Sequence, residues 1–247
     1  MIVQTESVSI EVDGSPMRTV VARPRAEGRF PGILFYSDIF QLTPTMIRAC
    51  VRLAGYGFVV ASPEIYHRIE APGWGRSFDD DSRTRGLENA AKTRVAEFDA
   101  DARAVLTYLS DHPNVAAGTL GAGGFCIGGH LAFRAALNPD VKATACFYPT
   151  GVPDGKLGQD ADAGTLARVG EIRGDLLLVF GASDPHVPSE GRAAIEVALD
   201  AAGTRRTTKL YPAEHAFMRD EGPRHDPEST DLAWGDMIAF YRRVFLE

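Results

Sequence analysis

The chain has 247 residues, 45% of them hydrophobic and 24% charged, with a formal net charge of -7. That size and balance predict one soluble α/β domain spanning 1–247 with a sizeable core. They argue against a nucleic-acid partner, which would need clustered Lys and Arg to displace phosphate counterions, and no basic tract occurs. No apolar run reaches membrane-spanning length, and the N-terminus has no basic segment leading into an apolar one, so neither a membrane nor a signal peptide is expected. The three cysteines, Cys50, Cys126 and Cys146, are odd in number, far apart and without metal-ligand spacing. They suit a reducing cytoplasm and imply no metal.

The predicted elements begin with "SVSIEV" (7–12) and "MRTVVARP" (17–24), which alternate apolar and polar residues around the turn signal "DGS" and read as an antiparallel hairpin. "PGILFY" (31–36) is a continuous apolar strand, "PTMIRACVRLAGYG" (44–57) has helical spacing, and "GFVVASP" (57–63) is a second buried strand. That βαβ unit predicts a mostly parallel central sheet with helices on both faces. Residues 64–87, rich in Gly, Pro, charge and aromatics, read as a long loop of the kind that caps a site. A helix is predicted over 88–110, a strand over 118–125, and a helix from Ile127. "KATACFYP", "DLLLVFG" and "TTKLYP" then read as strands, and "EGRAAIEVALDAAG" and "TDLAWGDMIAFYRRVF" as helices. That order of elements is the one an α/β-hydrolase sheet requires.

Chemistry concentrates on "GGFCIGGH". G-x-C-x-G, filled by Gly124 to Gly128, is the nucleophile-elbow pattern with sulfur in place of a serine oxygen, flanked by the strand and helix the motif needs. A buried structural cysteine would need no such glycine frame. Cys50 and Cys146, in apolar stretches, read as core residues. A helix N-terminus favours thiolate at Cys126. The partners expected after it, an acid and then a histidine, are Asp184 at the end of "LLLVFGASDPHVP" and His215 at the end of "TTKLYPAEHAF". Asp184 could instead be only an Asx-turn residue, and His215 only a surface histidine. His186 is too close in sequence to Asp184 to serve, His130 follows Cys126 along its helix, and His67, His112 and His225 read as loop or surface residues. An oxyanion hole needs two backbone amides, expected from Ile127 and from Ile39 in "YSDIFQLTP".

Five segments, "SDIF", "PEIYHRIEAPG", "GGFCIGGHLAF", "GASDPHVP" and "YPAEHAFMR", together resemble the dienelactone hydrolase (carboxymethylenebutenolidase) family, a cysteine branch of the α/β-hydrolases, over nearly the whole chain. The resemblance implies a Cys126–His215–Asp184 triad and hydrolysis of an enol lactone or activated ester through a thioester, with no cofactor. It also implies arginines that hold a substrate carboxylate: Arg219 matches one, and Arg83 or Arg85 the other. Where the family carries a thiol-activating glutamate this sequence has the shorter Asp38, and "YPTGVPDGKLGQDADAGTLARVGEIR" is longer than the usual connection. The expected partner is a small ester or lactone bearing a carboxylate, and the expected state a monomer or homodimer. The competing readings are a broader carboxylesterase or thioesterase, or a non-catalytic binding or thiol-sensing module.

Overall fold

A computed structural model describes residues 1–75 and 77–246. Arg76, inside the predicted loop, and Glu247 lie outside the described residues. Strands β1 (Val3–Val12) and β2 (Ser15–Pro24) pair antiparallel through the two-residue turn Asp13–Gly14, both at positive φ, with Val12 opposite Ser15. That is the backbone a tight Asp-Gly hairpin demands, and it extends the predicted strands to the turn itself.

Strands β3 (Phe30–Tyr36), β4 (Val59–Pro63), β5 (Val115–Phe125), β6 (Val141–Phe147), β7 (Asp175–Gly181) and β8 (Arg206–Tyr211) complete one eight-stranded sheet in the order β1-β2-β4-β3-β5-β6-β7-β8. From β4 to β8 all neighbours are parallel. The central strands are buried on both faces, which is why they read as continuous apolar runs rather than alternations. One face is covered by α1 (Pro44–Gly55) and α6 (Pro227–Leu246), whose Met46, Leu53, Trp234 and Tyr241 pack on Phe35 and Phe147. The other carries α3 (Val95–Asp111), α4 (Ile127–Ala135) and α5 (Ser189–Ala202), through Val105, Leu131 and Ile195 on Leu34 and Leu178. This is the α/β-hydrolase architecture.

The segment after β4 departs from the prediction. Helix α2 (Asp80–Lys92) starts inside the expected loop, where the Asp79 side chain caps the Ser82 amide at 2.7 Å and Asp80 and Asp81 fill the first turn. The helix predicted over 88–110 is two helices, broken at Thr93–Arg94. The break is held by a distant segment: Gln159 N–H donates to Thr93 O at 2.9 Å, and the Asp160 carboxylate accepts the Val95 amide at 2.7 Å. Local periodicity carries no trace of that support.

Candidate active site

The strained element comes first. Cys126 follows β5 at φ 59° and ψ -121°, a left-handed backbone that a non-glycine residue adopts only where its surroundings enforce it. Backbone bonds on both sides fix it: Cys126 N–H donates to Phe147 O at 3.0 Å, and Cys126 O accepts from the amides of Gly129 at 3.0 Å and of His130 and Thr150 at 3.3 Å. The glycine frame is steric. A Cβ on Gly124 would lie 2.3 Å from Gly128 O, and one on Gly128 would lie 2.1 Å from Ser37 O. Ile127 is the first residue of α4, so its N–H has no acceptor one turn back and faces outward with the positive end of the helix.

Asp184 and His215 leave the ends of β7 and β8 at the same sheet edge and meet. His215 Nδ1 lies 2.8 Å from Asp184 Oδ2. Asp184 Oδ1 accepts the amides of His186 at 2.8 Å and Val187 at 3.3 Å. Asp184 therefore makes the Asx turn with one oxygen and the contact to His215 with the other. Burial pushes its carboxyl up, but the His215 ring and the His186 amide outweigh it and hold the carboxyl below the usual range. Burial likewise lowers His215, yet the Cys126 sulfur, by charge and hydrogen bond, and the Asp184 carboxylate raise it to about 9. With Nδ1 on Asp184, Nε2 is the nitrogen left for the sulfur.

Cys126, His215, Ile39, Ile127, Arg83 and Arg219 all line one cavity of about 690 Å³. Arg85 does not. Its guanidinium forms a two-pronged pair with Glu70 at 2.6 and 2.5 Å and lies over the Trp74 ring, on the outer side of α2. Arg219 is clamped between the rings of Phe40 and Phe78, 4.8 and 4.3 Å from their centroids, and pairs with Asp38 Oδ2 at 2.5 Å. The other Asp38 oxygen accepts the Phe40 amide at 2.9 Å, so each oxygen has a partner. Arg219 Nε is buried with no hydrogen-bond partner among the described residues.

Several residues of the site escaped the sequence reading. Thr150, just past β6, brings Oγ1 to 3.9 Å from the sulfur. His186 packs against His215 with ring centroids 4.7 Å apart, and Tyr148 does so at 5.0 Å from below. His130 is a buried strut. Nδ1–H donates to Thr150 O at 2.9 Å, Nε2 accepts from the Thr165 hydroxyl at 2.8 Å, and burial lowers it to about 3, so it stays neutral. His67, read as a loop histidine, is buried against Asp101 and Ser15. Gly86 sets α2 on the loop that carries Ile39, since a Cβ there would lie 2.5 Å from Ile39 O. The strand end of "KATACFYP" was a usable signal for Thr150; nothing local marks Gly86. Cys50 and Cys146 are fully buried, and burial pushes both thiols up, Cys50 to about 12. Among the described residues no cluster of three metal-ligating side chains occurs, and no helix is long and apolar enough to cross a membrane.

A strained residue between strand and helix, with an acid–histidine pair at the same parallel-sheet edge, defines a hydrolase of the α/β-hydrolase fold. The model of the dienelactone hydrolase family matches residues 17–245, and the chain belongs to that family of carboxylic ester hydrolases. A Saccharomyces cerevisiae protein provisionally named carboxymethylenebutenolidase is 34% identical over 240 residues, covering 93% of this chain and 88% of that one. The carboxymethylenebutenolidase of Pseudomonas sp. strain P51 is 27% identical over 243 residues, 97% and 96% of the two chains. A crystal structure of a Klebsiella pneumoniae protein provisionally named dienelactone hydrolase superposes with a TM-score of 0.85 at 26% identity, covering 98% of this chain and 100% of that one.

Proposed function

We propose that the protein hydrolyses enol lactones or activated esters bearing a carboxylate, using Cys126 as nucleophile, His215 as acid–base and Asp184 as the group that orients and charges the histidine. The observation that carries the reading is the strained Cys126 at a helix N-terminus, coupled to a His215 that its neighbours hold near 9. When His215 takes the proton of the thiol, a thiolate is left beside an imidazolium, the pair the attack requires.

The thiolate attacks the carbonyl, and the amides of Ile39 and Ile127 receive the developing oxyanion. When the tetrahedral intermediate collapses, the C–O bond breaks, the leaving oxygen takes the proton from His215, and an acyl-thioester on Cys126 remains. His215, now neutral, removes a proton from water, hydroxide adds to the thioester, and the C–S bond breaks to release the acid and restore the thiolate. Because thiolate is itself a good leaving group, the first intermediate goes forward only when the substrate's own leaving group is stabilised, as an enolate or aryloxide is.

A substrate carboxylate fits Arg219, whose unpartnered Nε and fixed position between two rings favour a planar anion, in competition with Asp38. Arg83 has no carboxylate partner among the described residues and lines the same cavity, which makes it the second anchor in preference to Arg85. The test is ring opening of a carboxylate-bearing enol lactone, followed by absorbance. Wild-type turnover that vanishes in Cys126→Ala supports the reading. Turnover that survives the substitution overturns it.

A further inference from the structure

Helix α2 is strongly polar, and Asp80 and Arg83 line the cavity near its start, but the remainder of its cavity-lining stripe is apolar. Arg83, Leu87, Ala90 and Ala91 line the cavity at spacings of four, three and one, which keeps them on one helical face. At 1.5 Å per residue this stripe runs about 12 Å from a guanidinium at one end to two alanines at the other. Leu87 is 47% exposed, although the surrounding helix offers mainly charged and polar side chains. Leu87, Ala90 and Ala91 together give this side of the cavity a continuous apolar strip.

The opposing wall is Leu157, in the long segment after β6. The bonds that break α2 from α3, Gln159 to Thr93 and Asp160 to Val95, hold this segment against the C-terminal end of α2. Gly158 makes the contact possible, since a Cβ there would lie 2.3 Å from Thr93 O. Leu157, held there by those bonds, lines the same cavity as Ala90 and Ala91. Arg83 and Arg224 both act on the His186 ring, with Asp79 and Asp80 at the start of α2 lining the same cavity, and Lys156 and Asp160, close in sequence to Leu157, line it as well. A cavity of about 690 Å³ also exceeds what one lactone ring with a carboxylate fills, and lies in the range that binds ligands several times larger.

We propose that the cavity arm walled by Leu87, Ala90, Ala91 and Leu157 is a subsite for an apolar chain, so that the substrates are amphiphilic: a carboxylate at the arginine end, the scissile carbonyl at Cys126, and a hydrocarbon substituent along α2. The inference rests on the hydrolase reading above and adds its substrate class.

The experiment compares kcat/KM for aryl esters from acetyl to octanoyl, and for enol acetates lengthened on the leaving-group side, with Cys126→Ala as blank. In one of the two series the wild type gains about three- to fourfold per methylene until the arm is full. Leu87→Asp and Ala90→Trp, one charging the wall and the other filling it, lower the long-to-short ratio at least tenfold. Lys92→Ala, on the outer side of the helix, keeps the wild-type ratio. A flat chain-length profile in both series, with Cys126-dependent cleavage intact, overturns the subsite and leaves the hydrolase reading standing. Absence of Cys126-dependent cleavage of any ester or lactone overturns both.

Discussion

Among the described residues two buried histidine–aspartate pairs occur, and the histidine of one of them, His215, lines the cavity of about 690 Å³. His215 meets Asp184 at 2.8 Å, and His67 meets Asp101 at 3.2 Å with the Ser15 hydroxyl 2.9 Å from its other nitrogen. By residue type the second set is a serine–histidine–aspartate triad. The differences lie in what else each group touches. Asp101 is also paired with Arg68 at 2.8 Å, so its charge is already neutralised, and Ser15 lies in an ordinary β-strand. Asp184 receives only backbone amides on its other oxygen, and the side chain opposite its histidine is the thiol of a strained cysteine at a helix N-terminus. Chemistry is set by strain, access and unneutralised charge, whereas the His67 set ties the hairpin to α3.

The sharpest way to break the comparison is to remove each nucleophile. Cys126→Ala should cost on the order of 10⁴-fold or more in kcat, while Ser15→Ala should leave kcat unchanged, both read from initial rates. The acids come next. Asp184→Asn should lower kcat/KM by roughly 10³-fold through loss of the imidazolium's partner, with little change in denaturation midpoint. Asp101→Asn should do the reverse: about 3 kcal/mol lost in urea unfolding, because Arg68 keeps a half-buried charge without its carboxylate, and normal activity per folded molecule. Gly86→Ala, which drives a methyl toward Ile39 O, should cost roughly ten- to a hundredfold in kcat by moving one oxyanion amide, while circular dichroism stays native.

The smallest effect is a shift in pH dependence. His215 is raised, so its proton is present below about 9 and lost as pH rises through that value. The acylation rate with a poorly stabilised leaving group should therefore fall above about 9, since the proton for the leaving oxygen is gone. Asp184→Asn removes one of the contacts that raise His215, and the alkaline limb should move to lower pH. An unmoved limb in that variant would assign it to another group.

Much of this was legible in the chain. The elbow, the acid and the histidine each stood at the end of an apolar strand, and a parallel sheet must bring such ends to one edge. Ile39 followed from the same logic, whereas Arg219 was singled out only by the family resemblance. What could not be read depended on contacts distant in sequence. The α2–α3 break is held by residues 159 and 160, His67 is buried by an aspartate 34 positions away, and Arg83 is told from Arg85 only by which side of α2 faces Glu70. The Asp38–Arg219 pair joins positions 181 apart, and no local pattern announces it.

The account stands or falls on Cys126 as the covalent nucleophile. The direct measurement is rapid acid quench of the wild-type protein during turnover of an activated ester, followed by mass spectrometry of its peptides. The predicted result is an acyl adduct on the peptide carrying Cys126, lost on hydroxylamine treatment and accumulating in Asp184→Asn if water attack slows more than acylation. Full turnover with no acyl group on Cys126 and undiminished rates in Cys126→Ala would contradict it.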